Sequence, residues 1–168
     1  MPLLLKLTTD YLENEDRLRL VGQDDGGHVY QLWLTRRLAD RLFHSVLDWL
    51  KKQNAVHVGS DLFQTFEQDR AVGKIEPLNR VNASSGDGTS SWLINNIDIT
   101  RGDEAIVLVF KSAGDQEASF ALRTKELRQW LSICCKGYQK AEWPMDVWPS
   151  WMIDYQEPDM LPATALVH

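Results

Sequence analysis

The sequence RLRLVGQDDGGHVYQLWLTRRL, residues 17–38, decides the fold class. Residues 17–21 alternate polar and apolar side chains, which is typical of a strand with one buried face. The Asp- and Gly-rich residues 23–27 predict a tight turn, and residues 28–34 predict the returning strand. Thr35 then stands where a helix N-cap is expected. The stretch therefore predicts a β-hairpin that leads directly into a helix.

The residues on either side extend this unit. Residues 3–8 predict a further strand before the hairpin. Behind Thr35, apolar side chains recur at the spacing of one helix face and predict a buried stripe. The members of that stripe are Leu38, Leu42, Val46, Trp49 and Leu50. Lys51 and Lys52 follow where the helix dipole favours cations, so we expect the helix to end near them.

The same order of elements recurs in the second half of the chain. Residues 92–100, 105–110 and 118–123 predict three strands, and Thr124 is a second N-cap candidate. A second helical stripe follows, with Gly137 near the predicted end of its helix. The stripe consists of Leu127, Trp130, Leu131, Cys134 and Tyr138.

These patterns predict an α+β fold with one or more antiparallel sheets and two main helices. We interpret it as two β-β-β-α repeats related by a pseudo-two-fold axis, because repeats of this kind fix an architecture. In this alignment Leu18 and Leu20 correspond to Ile106 and Leu108, Leu32 and Leu34 to Phe120 and Leu122, and Thr35 to Thr124. The alternative is that a common hairpin-and-helix unit occurs twice by chance.

The predicted organisation is a single domain over residues 1–142. The repeat units span about 1–54 and 91–140, and irregular residues 55–90 join them. Within this connection, residues 61–69 predict a short helix and the Ser/Gly-rich residues 84–91 predict a loop. From Trp143 onward the sequence is rich in Trp and Pro and shows no regular period, so we expect residues 143–168 to form a C-terminal tail.

Composition narrows the function classes. The 168 residues carry a formal net charge of −6, which gives no general attraction to nucleic acid or to anionic lipid. The two cysteines, Cys134 and Cys135, are adjacent and offer no disulfide framework, which favours a reducing compartment. Lys6 and Asp10 interrupt the N-terminal apolar run, which is too short for a signal segment or a membrane span. We therefore predict a cytoplasmic protein without membrane association.

The block from Gln31 to Leu38, with the strand and turn before it, resembles an uncharacterised group of proteobacterial proteins. In that group a strand-turn-strand leads into the sequence RLWLTRRL and then a helix, and Gln31 stands here where Arg is expected. The likeness covers about the first third of the chain. It implies a bacterial source and carries no known function.

No local motif predicts chemistry. The histidines at positions 28, 44, 57 and 168 show no metal-ligand spacing, and no CxxC pair is present. The nucleophile elbow and the phosphate-binding glycine loops are missing as well. Cys134 and Cys135 are either a redox pair or, as we prefer, buried small apolar residues. We therefore predict no catalytic, cofactor-binding or metal-ligating residues, and keep an enzyme site assembled from distant residues as an alternative.

Arg36 and Arg37 occupy the first turn of the predicted first helix, where the helix dipole disfavours cations. Together with Arg41, one turn further on, they are candidates for contact with an anion or a partner. The competing interpretation, which we prefer, is structural pairing with Asp40 or with carboxylates in the turns.

The aromatic residues Trp143, Trp148 and Trp151 are the other candidate contact. Tryptophan is enriched at protein interfaces, so these residues are a possible surface for a partner or for a second copy of the chain. The competing interpretation, which we favour, is that they complete the core of their own domain.

Our leading functional interpretation is a non-catalytic interaction or scaffold protein of a bacterial cytoplasm. The alternative from another class is a pseudo-dimer that binds single-stranded nucleic acid, by analogy with the PC4-like and PUR-type folds of four strands and a helix. Such a surface would consist of lysine and arginine side chains on the predicted strands, with a tryptophan beside them. The residues are Lys6, Arg17, Arg19, Lys111 and Arg123, with Trp33 or Trp92. The acidic net charge counts against it, so nucleic acid is an unfavoured partner.

Overall fold

The predicted hairpin and helix are present, and they form part of an α+β fold with two four-stranded sheets. The computed structural model describes residues 1–53, 68, 71 and 88–153. The strands are β1 (Leu3–Leu4), β2 (Lys6–Leu12), β3 (Arg17–Gln23), β4 (Val29–Leu34), β5 (Thr89–Leu93), β6 (Asn96–Arg101), β7 (Ala105–Lys111) and β8 (Glu117–Arg123). The helices are α1 (Arg36–Gln53), α2 (Thr124–Lys140) and the short α3 (Ser150–Ile153).

Each sheet consists of three antiparallel strands and one parallel strand. The first sheet has the order β2-β3-β4-β5 and the second the order β1-β8-β7-β6. In the first, β5 pairs in parallel with β4, and in the second, β1 pairs in parallel with β8. The prediction of purely antiparallel sheets is therefore wrong, because both short strands come from a distant part of the chain.

The two short strands cross between the sheets. β1 precedes β2 in sequence but joins the second sheet, and the chain enters the first sheet at Leu5, whose N–H donates to Gln23 O at 2.8 Å. Likewise β5 belongs to the first sheet, and the N–H of Asn95 donates to Lys111 O at 2.8 Å as the chain enters the second. Residues 3–8 and 92–100 are thus not single strands as predicted. The alternation of polar and apolar residues in these segments does not show that the chain passes from one sheet to the other.

The helix starts differ from each other. Thr35 is the N-cap of α1 as predicted, since its hydroxyl accepts the N–H of Leu38 at 3.4 Å. Thr124 is not a cap: Arg123 precedes the helix, and its N–H donates to the carboxylate of Glu126 at 3.0 Å. The Thr124 hydroxyl instead donates to the carbonyl of Glu104 at 3.1 Å, which ties the start of α2 to the turn before β7.

Gly137 lies inside α2 and not at its end, because the helix continues to Lys140. A Cβ at this position would lie 3.0 Å from Cδ2 of Leu18, a residue of β3. Glycine therefore permits the close approach of α2 to the first sheet, and the sequence signal reflects helix-to-sheet packing and not helix termination.

Both helices pack into one core between the sheets. Along the chain α1 follows the first sheet, yet it contacts β6 of the second; α2 follows the second sheet and contacts β2 of the first as well as β8. The predicted stripes are confirmed as core, except that Leu38 is only partly buried. Phe43, missed by the sequence analysis, is fully buried among Trp130, Tyr138 and Trp148, with ring centroids 5.0–5.8 Å away.

The segment after α2 continues this core. Trp143, Trp148 and Met152 are 6%, 4% and 4% exposed. Residues 154–168, most of the predicted helix at 61–69 and the first part of the predicted loop at 84–91 lie outside the described residues. The last part of that loop, from Thr89, is strand β5. Among the helices described, none is long and apolar enough to cross a membrane.

Candidate functional site

The three candidate arginines are exposed on α1 and have different surroundings. Arg36 lies near Asp16, a turn residue with a positive φ of 48°. Hydrogen bonds from the Trp143 indole and the Tyr11 hydroxyl lower the pKa of Asp16, and the charge of Arg36 adds to this effect. The charge of Arg36 therefore favours the ionised form of a carboxylate that is hydrogen-bonded within the fold.

Arg41 lines an open groove of about 390 Å³ between α1 and the segment that follows α2. The lining residues are Asp40, Arg41, His44, Pro144, Asp146 and Val147. Asp40 is already engaged, since its carboxylate accepts the hydroxyl of Tyr138 at 2.7 Å. The groove mixes two acids with an arginine and a histidine, and no group of side chains in the described part of the chain could hold a metal ion.

The tryptophans after α2 contact the protein's own core. Nε1 of Trp143 donates to Asp16 at 2.9 Å, and its ring packs edge-on against Tyr138 with centroids 5.0 Å apart. The Trp148 ring lies 5.3 Å from that of Tyr138. Trp151 is half-buried, with the guanidinium carbon of Arg128 at 5.8 Å from its ring centroid. Of the three indoles, Trp151 alone keeps surface that a partner can reach.

The two cysteines are buried free thiols on α2. Burial raises the pKa of Cys134 well above its usual value and that of Cys135 to about 11. At neutral pH both side chains therefore remain protonated and unreactive, as expected of small apolar core residues.

We predict that the protein loses stability as the pH rises above about 9. The unfolded chain releases its thiol protons near pH 9, whereas folded Cys135 holds its proton up to about pH 11, so the stabilisation present below pH 9 is lost over this window. Burial also raises the pKa of Tyr138, which acts in the same direction. Urea unfolding at a series of pH values measures this. A stability that stays constant up to pH 11 would contradict the buried placement of these groups, and a Cys135→Ser variant with a weaker decline is the control.

One serine and one histidine do come together. A ring nitrogen of His28 lies 2.9 Å from Oγ of Ser90, which links the start of β4 to β5. A catalytic pair needs a third group that orients the imidazole. Asp24, the nearby carboxylate, accepts the backbone N–H of His28 and the hydroxyl of Tyr30 instead. The contact therefore ties the hairpin turn to β5 and gives the enzyme alternative little support.

The proposed nucleic-acid surface is divided between the two sheets. Trp33 lies on the outer side of the first sheet, beside Arg19 in the register of β3 and β4. Arg19 forms an ion pair with Asp10 at 2.7 Å, which cancels its charge. Arg17 and Lys6 share this face, whereas Lys111 and Arg123 lie on the second sheet and Trp92 is buried. The turns at either end of the face add the exposed acids Glu13, Glu15 and Asp25.

The outer side of the second sheet is apolar at its centre, and we call it the apolar face. Its apolar residues are Leu3, Ala105, Val107, Val109 and Ala121. In the strand register, Ser119 lies between Leu3 and Val109, and Thr100 lies beside Val107. The valines are half-buried by their strand neighbours, Ala121 is exposed, and Leu3 is 49% exposed. A soluble antiparallel sheet normally places polar side chains on its solvent side, so this face is unusual.

Charged residues of both signs surround the apolar face. Asp98 and Glu117 supply two negative charges, and Lys111 and Arg123 supply two positive charges. Asp98 and Lys111 form an ion pair at 2.6 Å. The outward strand positions therefore carry no net charge, and the turns at the two ends of this sheet add the exposed acids Asp103, Glu104 and Asp115.

The sequence analysis did not identify this face as a site. Residues 105–110 carry apolar side chains on both sides of the strand. β7 is central in its sheet, but only its inner side is covered in the described structure. The apolar residues on the outward side of β7 were the sequence signal that could have identified the apolar face.

Comparison with protein-family models, with curated proteins and with solved structures found no significant match to this chain.

Proposed function

We propose that this chain is a non-catalytic interaction protein of a bacterial cytoplasm, and that the apolar face is the surface through which it binds another protein molecule. The observation that carries the proposal is the apolar cluster of half-buried Val107 and Val109 with exposed Leu3 and Ala121 on the outer side of one sheet. Covering apolar surface lowers the free energy, and the largest exposed apolar patch of a protein is often a functional one.

The dimensions of the face fit a weak to moderate interaction. The face consists of two residues of β1, six of β6 and seven each of β7 and β8. With strands about 4.8 Å apart and a rise of about 3.3 Å per residue, it covers roughly 350 Å². A stable interface of standard size covers about 800 Å² on each partner. The apolar face thus suits a reversible complex, unless a neighbouring surface extends it.

We further propose that the chain consists of two β-β-β-β-α repeats that exchange their first strands. Leu4 and Trp92, Leu32 and Phe120, and Val46 and Cys134 are buried pairs separated by the same number of residues. Continued to the helix starts, this spacing pairs Thr35 with Arg123 and not with Thr124. The pairing agrees with the positions that immediately precede α1 and α2.

The two proposed repeats match at positions that point into the core and differ at positions on the outer sides of the sheets. Inward positions are apolar in both halves, as expected for a shared core. Outward positions differ: Arg19 corresponds to Val107, and Trp33 corresponds to Ala121. Two halves that keep one core but carry different outer surfaces are suited to different contacts, and the second half carries the apolar one.

A photo-reactive amino acid at position 107 tests the interaction proposal. The full-length protein carrying benzoyl-phenylalanine in place of Val107 is irradiated in bacterial cells, and adducts are resolved by mass. We expect discrete adducts at position 107 and none with the same probe at Val29, an outward residue of an internal strand in the first sheet. Equal labelling at both positions, or none at position 107, would contradict the proposal.

The nucleic-acid alternative has weaker support. The first sheet combines an indole with cations, as proteins that bind single-stranded nucleic acid do. However, Arg19 is paired with Asp10, and the flanking turns are acidic. Phosphates approaching Trp33 would meet these carboxylates, which disfavours binding.

A further inference from the structure

We infer that the free edge of β6 accepts an extended, basic segment of another protein as an additional strand of the second sheet. The inference goes beyond the proposed function, because it concerns the edge of this sheet and not its outer side. β6 is the last strand of its sheet, and in the described part of the chain only β7 pairs with it. An added strand gains affinity from main-chain hydrogen bonds and specificity from alternate side chains.

The hydrogen bonds between β6 and β7 show which backbone groups point away from the sheet. The N–H of Gly102 donates to Ala105 O at 2.8 Å in the turn that joins the two strands. Bonded pairs recur at every second residue of an antiparallel ladder, so the even-numbered residues of β6 bond to β7. Ile97 and Ile99 stand at the alternate positions and direct their N–H and C=O groups outward, where a further strand would bind.

Two apolar side chains are incompletely covered at this edge. Ile97 and Ile99 are half-buried, whereas the residues opposite them on β7, Phe110 and Leu108, are fully buried. The inner side of the sheet is therefore less well covered at β6 than at its centre. A strand with apolar residues at alternate positions would cover both isoleucines while its backbone pairs with theirs.

The other edge strands do not combine these two properties. β1 has only two residues. On β2, the indole of Trp130 donates to the Thr9 hydroxyl at 3.0 Å, and the Trp143 ring packs edge-on against Tyr11, which is 8% exposed. On β5, the inward Trp92 is 7% exposed. Among the edge strands that the structure describes, β6 is the one with six residues and half-covered apolar side chains.

The charged side chains of β6 are engaged by their own neighbours. Proteins commonly protect edge strands with charges that oppose the approach of another strand. Here Asp98 forms an ion pair with Lys111 at 2.6 Å, and the guanidinium of Arg101 donates to the Ser45 hydroxyl on α1. Neither charge needs to lose its partner when a strand binds at the edge.

The charge of the chain favours a basic occupant over a second copy. The chain carries a net charge of −6, so it attracts a basic segment and repels another copy of itself. The hairpin that contains the edge, residues 96–111, carries three acids and two bases, so it does not reverse this preference. The occupant is therefore an extended segment with apolar residues at alternate positions and lysine or arginine at its ends.

The probe is a synthetic peptide of about nine residues that alternates valine with threonine and has lysine at both ends. It is titrated into the isotope-labelled full-length protein, and NMR follows the hydrogen exchange of each backbone amide. At saturation the amides of Ile97 and Ile99 should exchange at least about tenfold more slowly, because they become hydrogen-bonded. The amides of Leu7 and Thr9, on the edge strand β2 of the other sheet, are the internal control and should not change.

Matched peptides separate strand addition from other modes of binding. Methyl groups on the valine nitrogens remove the donors of an antiparallel pairing, and methyl groups on the threonine nitrogens remove those of a parallel one. We expect one of the two methylated peptides to lose binding. A peptide with glutamate in place of lysine should bind at least about tenfold more weakly. Full binding of both methylated peptides overturns strand addition, and equal binding of the glutamate peptide overturns the basic occupant.

Ile99→Pro tests the edge from the side of the protein. Proline removes the outward N–H and leaves the ladder to β7 intact, so the peptide should bind at least about tenfold more weakly. Ile99→Val keeps the N–H and should bind like the natural protein. Circular dichroism checks the fold of both variants. Should Ile99→Pro fail to fold, the methylated peptides decide, since they require no change in the protein.

Two further results would overturn the inference. Unchanged exchange at Ile97 and Ile99 with every peptide would mean that the edge does not accept a strand. Exchange that slows with protein concentration alone, without peptide, would make a second copy the occupant. Both results leave the apolar face to the photo-crosslinking experiment, which reports a protein bound at position 107.

Discussion

Replacing Phe43 by alanine should lower the free energy of unfolding by about 3–5 kcal/mol. Phe43 is fully buried, and its ring contacts three aromatic side chains from α2 and from the segment after it: Trp130, Tyr138 and Trp148. Truncation leaves a cavity among large rings that cannot collapse into it, so the lost contacts are not regained. Urea unfolding followed by tryptophan fluorescence measures the change.

The neighbouring residue supplies the control for Phe43→Ala. His44 is exposed on the same helix, and His44→Ala should change stability by less than about 0.5 kcal/mol. Phe43→Leu keeps most of the apolar volume and should fall between the two. A loss below about 1 kcal/mol for Phe43→Ala would mean that the aromatic cluster is not the centre of the core.

Trp143→Ala should cost a comparable amount, about 3–5 kcal/mol. Its indole is 6% exposed, packs edge-on against Tyr11 and Tyr138, and donates a hydrogen bond to Asp16. The variant loses this packing and leaves a buried gap between the β2–β3 turn and the end of α2. Chemical unfolding measures it, with Trp151→Ala, at a half-buried indole, as the control of smaller effect.

The same variant separates the two interpretations of the tryptophan-rich segment. A core residue changes stability and not the oligomeric mass, whereas an interface residue changes the mass and leaves stability intact. Trp143→Phe refines the result, because phenylalanine keeps a ring but donates no hydrogen bond to Asp16. The pKa of Asp16 is lowered in the folded protein, so this bond stabilises the fold above the ordinary carboxyl pKa and is lost as the pH falls. The deficit of Trp143→Phe should therefore shrink in acid.

Local patterns were sufficient to predict the hairpins and the two long helices. The alternation of residues 17–21 and the stripes on α1 and α2 are signals carried by consecutive residues, and burial follows them closely. Thr35 is a cap because its side chain acts within one helical turn. The fold class, with strands and helices in this order, was accessible for the same reason.

The features that the sequence did not predict depend on distant contacts. Leu3–Leu4 shows no sign that its hydrogen-bonding partner is Ser119–Phe120, and nothing near Trp92 indicates a return to β4. Gly137 was interpreted as a helix terminator because its contact with Leu18, a residue of another element, is not visible in the local sequence. The apolar face was missed because the side on which a strand meets solvent depends on which elements pack against the sheet.

The exchange of first strands also bears on how the chain is made. Leu3 is synthesised well before Arg123, the last residue of its partner strand. At about 5–20 residues per second, this interval lasts roughly 6–24 seconds. Throughout it, Leu3 and Leu4 have no partner strand, and the second sheet cannot close at that edge. The second sheet therefore completes this edge only after Arg123 has been synthesised, and a pairing between residues so far apart in sequence slows folding.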